Sequence, residues 1–273
     1  MKTFLNTSSL KLSVAIPTVI ENNIEQNYQT MLKYLTKAHN EGVGLIMFPE
    51  TVLTGIDITD DFETDKKLAI TLDSDYIKNL QEKAIEYNLW IAFGFFEFAN
   101  NTIFDSVILI NSKGELALHY KRISRGWCHP DANPREYGSG DSYPVLMSPW
   151  GKIGFLVCGD LFDVPELAIK EELDVLLFPF ARCFCEDIIS LQEEWDNVEW
   201  EEYANQIKSI NAYTLMANYI IHSETHRDDF QSSSRSYNNY FGGGFITDRK
   251  GNIIASLPLN QEGLLIWDGD IKK

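Results

Sequence analysis

The chain predicts an α/β protein, on three observations. Residues 11–48 run from a strand through an amphipathic helix into a second, wholly apolar strand. Short apolar runs recur downstream, some followed by helical periodicity, a pattern that implies sheets covered by helices. The last thirty or so residues, "GGGFITD", "RKGN", "IIASL" and "EGLLIWDGD", alternate strands and turns.

Each element can be justified in order. "KLSVAIP" (11–17) is the first strand, and Ile24, Tyr28, Met31, Leu32, Leu35 and Ala38 fall at helical spacing before Gly42 closes that helix. "VGLIMF" (43–48) has the continuous apolar character of a strand buried on both faces. An amphipathic segment around 74–87 leads into "LWIAFGFFEF", and "TIFDSVILIN" and "ELALHYK" flank the turn "NSKGE" as a hairpin. Residues 122–142 carry no period and are rich in Gly, Pro, Asp and Asn; so long a loop in a compact domain points to function. Then come "YPVLMSP", a "WGK" turn, "IGFLVC", a helix from about 164, "LDVLLFPF", a long helix near 195–212 and "TLMANYII". No linker interrupts residues 1–273, which read as one domain. Periodicity does not fix the number of sheets.

The formal charge of −17 argues against nucleic acid or an anionic membrane as partner, since both would repel the surface. No apolar stretch approaches the roughly 18 residues of a membrane span, and the opening segment lacks the apolar region of a signal peptide. Four sparse cysteines (Cys128, Cys158, Cys183, Cys185) do not form a secreted disulfide framework, so a cytoplasmic location is expected. The acidic block 186–202 reads as a solvated helix face.

Candidate chemistry begins at "FLVCGDLFDVPE", where Cys158 stands at the exit of a strand and ahead of a helix. Such exits are where open α/β sheets bind ligands and expose nucleophiles. A thiol becomes nucleophilic with a base to take its proton or a cation to stabilise its anion. Glu50, in "LIMFPET", and Lys121, in "LALHYKRISRG", also stand at the downstream ends of predicted strands, which sheet topology would bring to one edge.

With "FPET", "HYKR" and "GKIGFLVCGDLFDVPE" in that order, the chain resembles the nitrilase superfamily of carbon–nitrogen hydrolases, whose signature is a Glu-Lys-Cys triad. "REYGSGD", "ANQIKSINAYTLMAN" and the closing "FGGGFITDRKGNIIAS" and "EGLLIWDGDI" extend the resemblance over nearly the whole chain. It implies a four-layer αββα sandwich and catalysis by Glu50, Lys121 and Cys158, with Glu136 as an additional active-site carboxylate hydrogen-bonded to Lys121 and substrate.

The resemblance also implies an oxyanion site made by Lys121 and the backbone N–H of Gly159. It places Arg182 where the family lines its pocket, to bind a polar substrate group or pair with the acidic block. A small linear amide or N-carbamoyl compound is the implied substrate, a homodimer or larger homo-oligomer the implied assembly, and no cofactor is implied. Two departures stand out. Gly159 follows the cysteine where members commonly have Tyr or Trp, and Asp160 replaces the Glu of true nitrilases, which favours the amidase and carbamoylase branch.

Other chemistries are weaker. "HSETH" spaces His222 and His226 as H-x-E-x-H, unlike a zinc helix, and Cys183 and Cys185 lack a second pair, so no metal is expected. "FGGGF" precedes strand-like residues rather than a helix that would bind phosphate. A binding protein that has lost turnover, or a true nitrilase, remains the alternative function.

Overall fold

The protein is described by a computed structural model over residues 10–184, 188–221, 239–269 and 271. Cys185, His222 and His226 lie outside the described residues. The chain begins with β1 (Leu12–Ile16), α1 (Ile24–Asn40) and β2 (Leu45–Met47), as the periodicity predicts. A short α2 (Phe62–Asp65) and α3 (Asp75–Tyr87) precede β3 (Trp90–Ala99), β4 (Thr102–Ile110) and β5 (Leu116–Lys121). Next come β6 (Val145–Ser148), β7 (Gly151–Phe155), α4 (Asp160–Asp163), α5 (Pro165–Glu171), β8 (Val175–Pro179) and β9 (Cys183–Phe184). The long helix expected near 195–212 is present as a π-helical turn over Trp195–Glu199 followed by α7 (Trp200–Ile210), and it starts earlier than expected, with α6 (Ile188–Glu194) leading directly into it. Strands β10 (Tyr213–Ala217), β11 (Ile220–Ile221), β12 (Asn239–Thr247), β13 (Ile253–Leu259) and β14 (Gly263–Trp267) complete the path.

These strands form two sheets. The first has the order β14-β1-β2-β3-β4-β5; the second runs β11-β12-β10-β8-β7-β6, with β9 and β13 also paired to β12. Alternation along each strand sorts side chains to two faces. In β1, Leu12, Val14 and Ile16 enter the core between the sheets, together with Phe155, Val175, Leu177, Leu215 and Ile246 of the second sheet. The opposite faces take helices: Met31, Leu35, Ile77 and Leu80 cover Ile46, Ile91, Phe93 and Ile108. Ala168, Tyr203 and Ile207 cover Leu176, Phe178 and Met216. The result is the expected four layers, helix–sheet–sheet–helix.

Strands β1, β2 and β3 are mutually parallel, and β5, antiparallel to an antiparallel β4, points the same way. In the second sheet β7, β8 and β10 are parallel. A parallel bridge from Thr18 to Ile220, with Val19 N–H donating to Ile220 O at 2.8 Å, ties the downstream ends of the two sheets together. The exits of β2, β5, β7 and β8 therefore open on one end of the sandwich. That is the topological reason Glu50, residue 122 and Cys158 can meet.

Candidate active site

Glu50 follows β2 by three residues and is fully buried. Its backbone passes so close to β3 that a Cβ at Gly94 would lie 2.6 Å from Thr51 N and 3.0 Å from Glu50 Cα; only glycine fits. Cys158 sits three residues beyond β7 at φ 47°, a left-handed conformation uncommon for a side-chain-bearing residue. Its N–H donates to Pro179 O at 3.1 Å, and its Sγ contacts Ala181 O at 3.9 Å, with the Glu50 carboxyl as a further neighbour within hydrogen-bonding reach. A strained turn that presents a thiol to a buried carboxyl is the arrangement expected of a nucleophile.

The cation beside this pair is Arg122, and this corrects the expectation for Lys121. Leu118 and Tyr120 of β5 face the core between the sheets, so the next residue on that face is Arg122, while His119 and Lys121 face the other way. Lys121 Nζ stands 3.6 Å from Glu97 Oε1 and 3.6 Å from the centre of the Phe104 ring, on the helix-covered side of the sheet. Arg122 is 3% exposed, a degree of burial that a guanidinium tolerates only when paired. Its Nη1 donates to Glu50 Oε1 at 2.8 Å and to Asp105 Oδ2 at 3.4 Å, and its Nε donates to Ser124 Oγ at 2.8 Å.

Arg122 Nη2 has no hydrogen-bond partner among the described residues. It lies between two glycines: a Cβ at Gly159 would approach it to 2.8 Å and one at Gly126 to 3.2 Å. This gives Gly159 its physical reason, because a side chain after the cysteine would collide with the guanidinium and, at 2.9 Å, with Ser124 Oγ. The Gly159 N–H likewise donates to no acceptor among the described residues.

Asp160, completely buried, fastens the two halves of the site. It accepts from Tyr120 Oη (2.7 Å), Ser124 N (2.7 Å) and Ile123 N (3.2 Å), so the turn that carries Cys158 is clamped to the segment that carries Arg122.

Electrostatics follow from burial. Desolvation, reinforced by the charge of Cys158, pushes the Glu50 carboxyl up to about 8 against the pull of Arg122. Burial, followed by the charge of Glu50, holds Asp105 well above the usual carboxylate range. Burial disfavours charged Arg122, but Cys158, Glu50, Asp105 and Asp160 together outweigh it and raise the guanidinium above its ordinary value.

Two other expected site residues are placed differently. Glu136 is half-buried in the 122–142 loop, held by its backbone to Asn133 and Ile103, and Lys121 pairs with Glu97 rather than with it. Arg182 is engaged by the acidic block, one of its two expected fates: Nε and Nη2 donate to the two oxygens of Glu199 at 3.1 and 2.5 Å, and Nη1 donates to Cys183 O at 2.6 Å. The π-helical turn ends at Glu199, which leaves that side chain 14% exposed under Arg182 rather than on a solvated face. Arg122 and Asp105 had a sequence signal, the alternation of β5 and β4; extending Leu118-Tyr120 by two residues reaches Arg122, and extending Leu109-Val107 back by two reaches Asp105.

The family profile described as carbon–nitrogen hydrolase matches residues 13–273. The chain belongs to the carbon–nitrogen hydrolases. Among curated relatives, a probable nitrilase of Schizosaccharomyces pombe is 22% identical over 254 residues, 91% of this chain and 84% of that protein. An N-carbamoylputrescine amidase of Solanum lycopersicum is 27% identical over 208 residues, 72% of this chain and 65% of that protein. Among solved structures, an amidase from Nesterenkonia sp. superposes with a TM-score of 0.71 at 15% identity, covering 97% of this chain and 93% of that one. A variant of that amidase, with TM-score 0.71 at 15% identity, covers 94% of this chain and 91% of its own, and carries acrylamide added to its active-site cysteine. This carbon–nitrogen hydrolase shares their two-sheet architecture, with an arginine as the cation nearest its buried glutamate.

Proposed function

We propose that this carbon–nitrogen hydrolase cleaves a small linear amide or N-carbamoyl compound through a thioester on Cys158. The observation that carries the reading is a fully buried Glu50 carboxyl within reach of the Cys158 thiol and ion-paired to Arg122 at 2.8 Å. Glu50 takes the thiol proton as Sγ bonds to the carbonyl carbon, and the developing oxyanion is met by Arg122 Nη2 and the N–H of Gly159, neither of which has an acceptor among the described residues. Glu50 then gives that proton to the departing nitrogen as the C–N bond breaks. Water attacks the thioester with Glu50 as base, and the proton returns to sulfur when the C–S bond breaks. A carboxyl whose proton affinity is raised by burial suits a group that must both accept and donate at neutral pH.

Asp160 after the cysteine and the amidase likenesses favour an amide or carbamoyl substrate over a nitrile. Glu136, at the edge of the 122–142 loop, remains a candidate for contact with substrate, and a homodimer remains the expected assembly.

A panel of small amides, N-carbamoyl amines, ureas and nitriles assayed for ammonia tests the reading. Release from amides or carbamoyl compounds by the wild type, lost in Cys158→Ala with the circular-dichroism spectrum intact, is the expected result. Turnover by Cys158→Ala would remove the mechanism. Turnover of nitriles alone would make the chain a nitrilase, and ligand-induced thermal shifts without ammonia would make it a binding protein.

A further inference from the structure

Three carboxylates, Glu50, Asp105 and Asp160, are buried around one guanidinium, each 0–1% exposed. Asp160 accepts from two backbone N–H groups and the Tyr120 hydroxyl at 3.2 Å or less, so its burial is matched by donors. Glu50 and Asp105 are not so supplied. Among the described residues their only ion pair is the shared Arg122 Nη1, and one oxygen of each, Glu50 Oε2 and Asp105 Oδ1, is sealed from solvent without a hydrogen-bond donor. The two carboxyls lie within hydrogen-bonding reach of each other. Two buried like charges against a single cation, with acceptor oxygens left bare, form a pair that cannot be ionised at both members.

We infer that Glu50 and Asp105 hold one proton between them, with Asp105 donating it to Glu50, so that Glu50 meets the Cys158 thiol as the ionised partner. Asp105 is thereby a positioning residue: it fixes the Glu50 carboxylate through an O–H···O⁻ bond and removes a competing negative charge from the site. The residue arises where β4 directs Asp105, Val107 and Leu109 into the space between the sheets, and Arg122 N–H donates to Asp105 O at 2.8 Å, fixing the strands in register. The other groups facing the pair are Cys158 and Asp160 from the β7–α4 turn, Tyr219 after β10 and Tyr240 of β12; Asp160 has its own donors, and burial raises both tyrosines well above their ordinary value. The protonation is independent of turnover, whereas the role of Asp105 in catalysis rests on the reading proposed above.

Infrared difference spectroscopy of the full chain at neutral pH tests the proton directly. The wild type should show a C=O stretch from a buried protonated carboxyl that is absent from Asp105→Asn and also from Glu50→Gln, because each variant leaves Arg122 a single carboxylate to pair with. No such band in the wild type, or a band that survives unchanged in Asp105→Asn, would overturn the inference. If Asp105→Asn does not fold, Glu50→Gln carries the same comparison.

The positioning role is read from the rate at which iodoacetamide alkylates Cys158. Asp105→Asn, whose amide N–H can replace the donated proton, should alkylate within about threefold of wild type, and Asp105→Leu at least about tenfold more slowly, the loss expected when a hydrogen bond to a charged group is removed. Equal rates for the two variants would overturn the role. An unreactive Cys158 in the wild type would instead count against the proposed mechanism and leave the infrared result standing.

Discussion

Strands β3, β4 and β5 carry acid–base clusters on both faces, and the two behave in opposite ways. On the helix-covered face, Glu97 accepts from Ser106 Oγ at 2.7 Å, shares a 2.7 Å hydrogen bond with His119 Nε2 and pairs with Lys121 at 3.6 Å. Burial would raise its carboxyl, but His119, Ser106 and Lys121 prevail and hold it below the usual range. On the face toward the second sheet, Glu50 and Asp105 share one arginine, have bare oxygens and are both raised. Similar residue types thus give a satisfied structural network on one side and an under-supplied, reactive one on the other. The difference lies in the number of donors per carboxylate, and strand alternation decides which cluster each residue joins.

The sharpest way to break this comparison is to remove one cation from each face. Arg122→Ala should lower kcat by about a hundred- to a thousandfold, the range for loss of an oxyanion donor, while Lys121→Ala stays within a few-fold of wild type. Steady-state ammonia release measures both, and the reverse order would restore Lys121 to the catalytic role its motif suggested.

Gly159→Ala comes next. Its new methyl would press on Arg122 Nη2, so the variant should lose about tenfold in kcat. In an Arg122→Lys background, which has no Nη2, the same change should have a smaller effect. A double-mutant cycle on kcat reads this coupling, and strict additivity would show that the glycine and the arginine are independent.

Stability should move oppositely on the two faces. Burial raises both Glu50 and Asp105, so the pair keeps a proton that exposed carboxyls release near 4.5, and it destabilises the fold by an amount that is absent below that pH and grows as pH rises above it. Glu50→Gln should therefore stabilise the fold in mild alkali, on the order of 2–4 kcal/mol, with the gain vanishing near pH 4.5. Denaturant unfolding at the two pH values checks it.

The smallest effect is expected at Glu97, whose lowered carboxyl contributes stability above its unfolded value of 4.5 that is lost as pH falls through the folded value. Glu97→Gln should cost about 1 kcal/mol at neutral pH and progressively less in acid. A pH-independent difference would place the contribution in packing instead.

Much of this was legible in the residues. The strand–helix order, the β4–β5 hairpin, the exits at Glu50 and Cys158 and the irregular 122–142 loop all follow from local pattern, because apolar period and turn chemistry are short-range properties. The family membership was carried by motifs that span the chain. Lys121 was misplaced because a motif read as a string is indifferent to a shift of one residue, whereas a strand is not: its side chains change faces at each step. The π-helical turn at Trp195–Glu199 had no sequence signal, since the acidic block reads equally well as a solvated face. Its inward turn is explained by Arg182, a partner outside that block.

By itself, then, the sequence determined which segments are strands and helices, where a thiol and a carboxyl leave the sheet, and the family to which the chain belongs. Strand alternation puts Arg122 and Asp105 on the inner face, but only the tertiary structure decided that they meet Glu50 there, that Gly126 lies beside the guanidinium and that Gly159 makes room for it. Those decisions depend on close approaches between β2, β4, β5 and the β7–α4 turn, segments from 50 to 159 in the chain, and on how many donors reach each buried charge. Such distances are set by packing the two sheets together, and no local pattern encodes them.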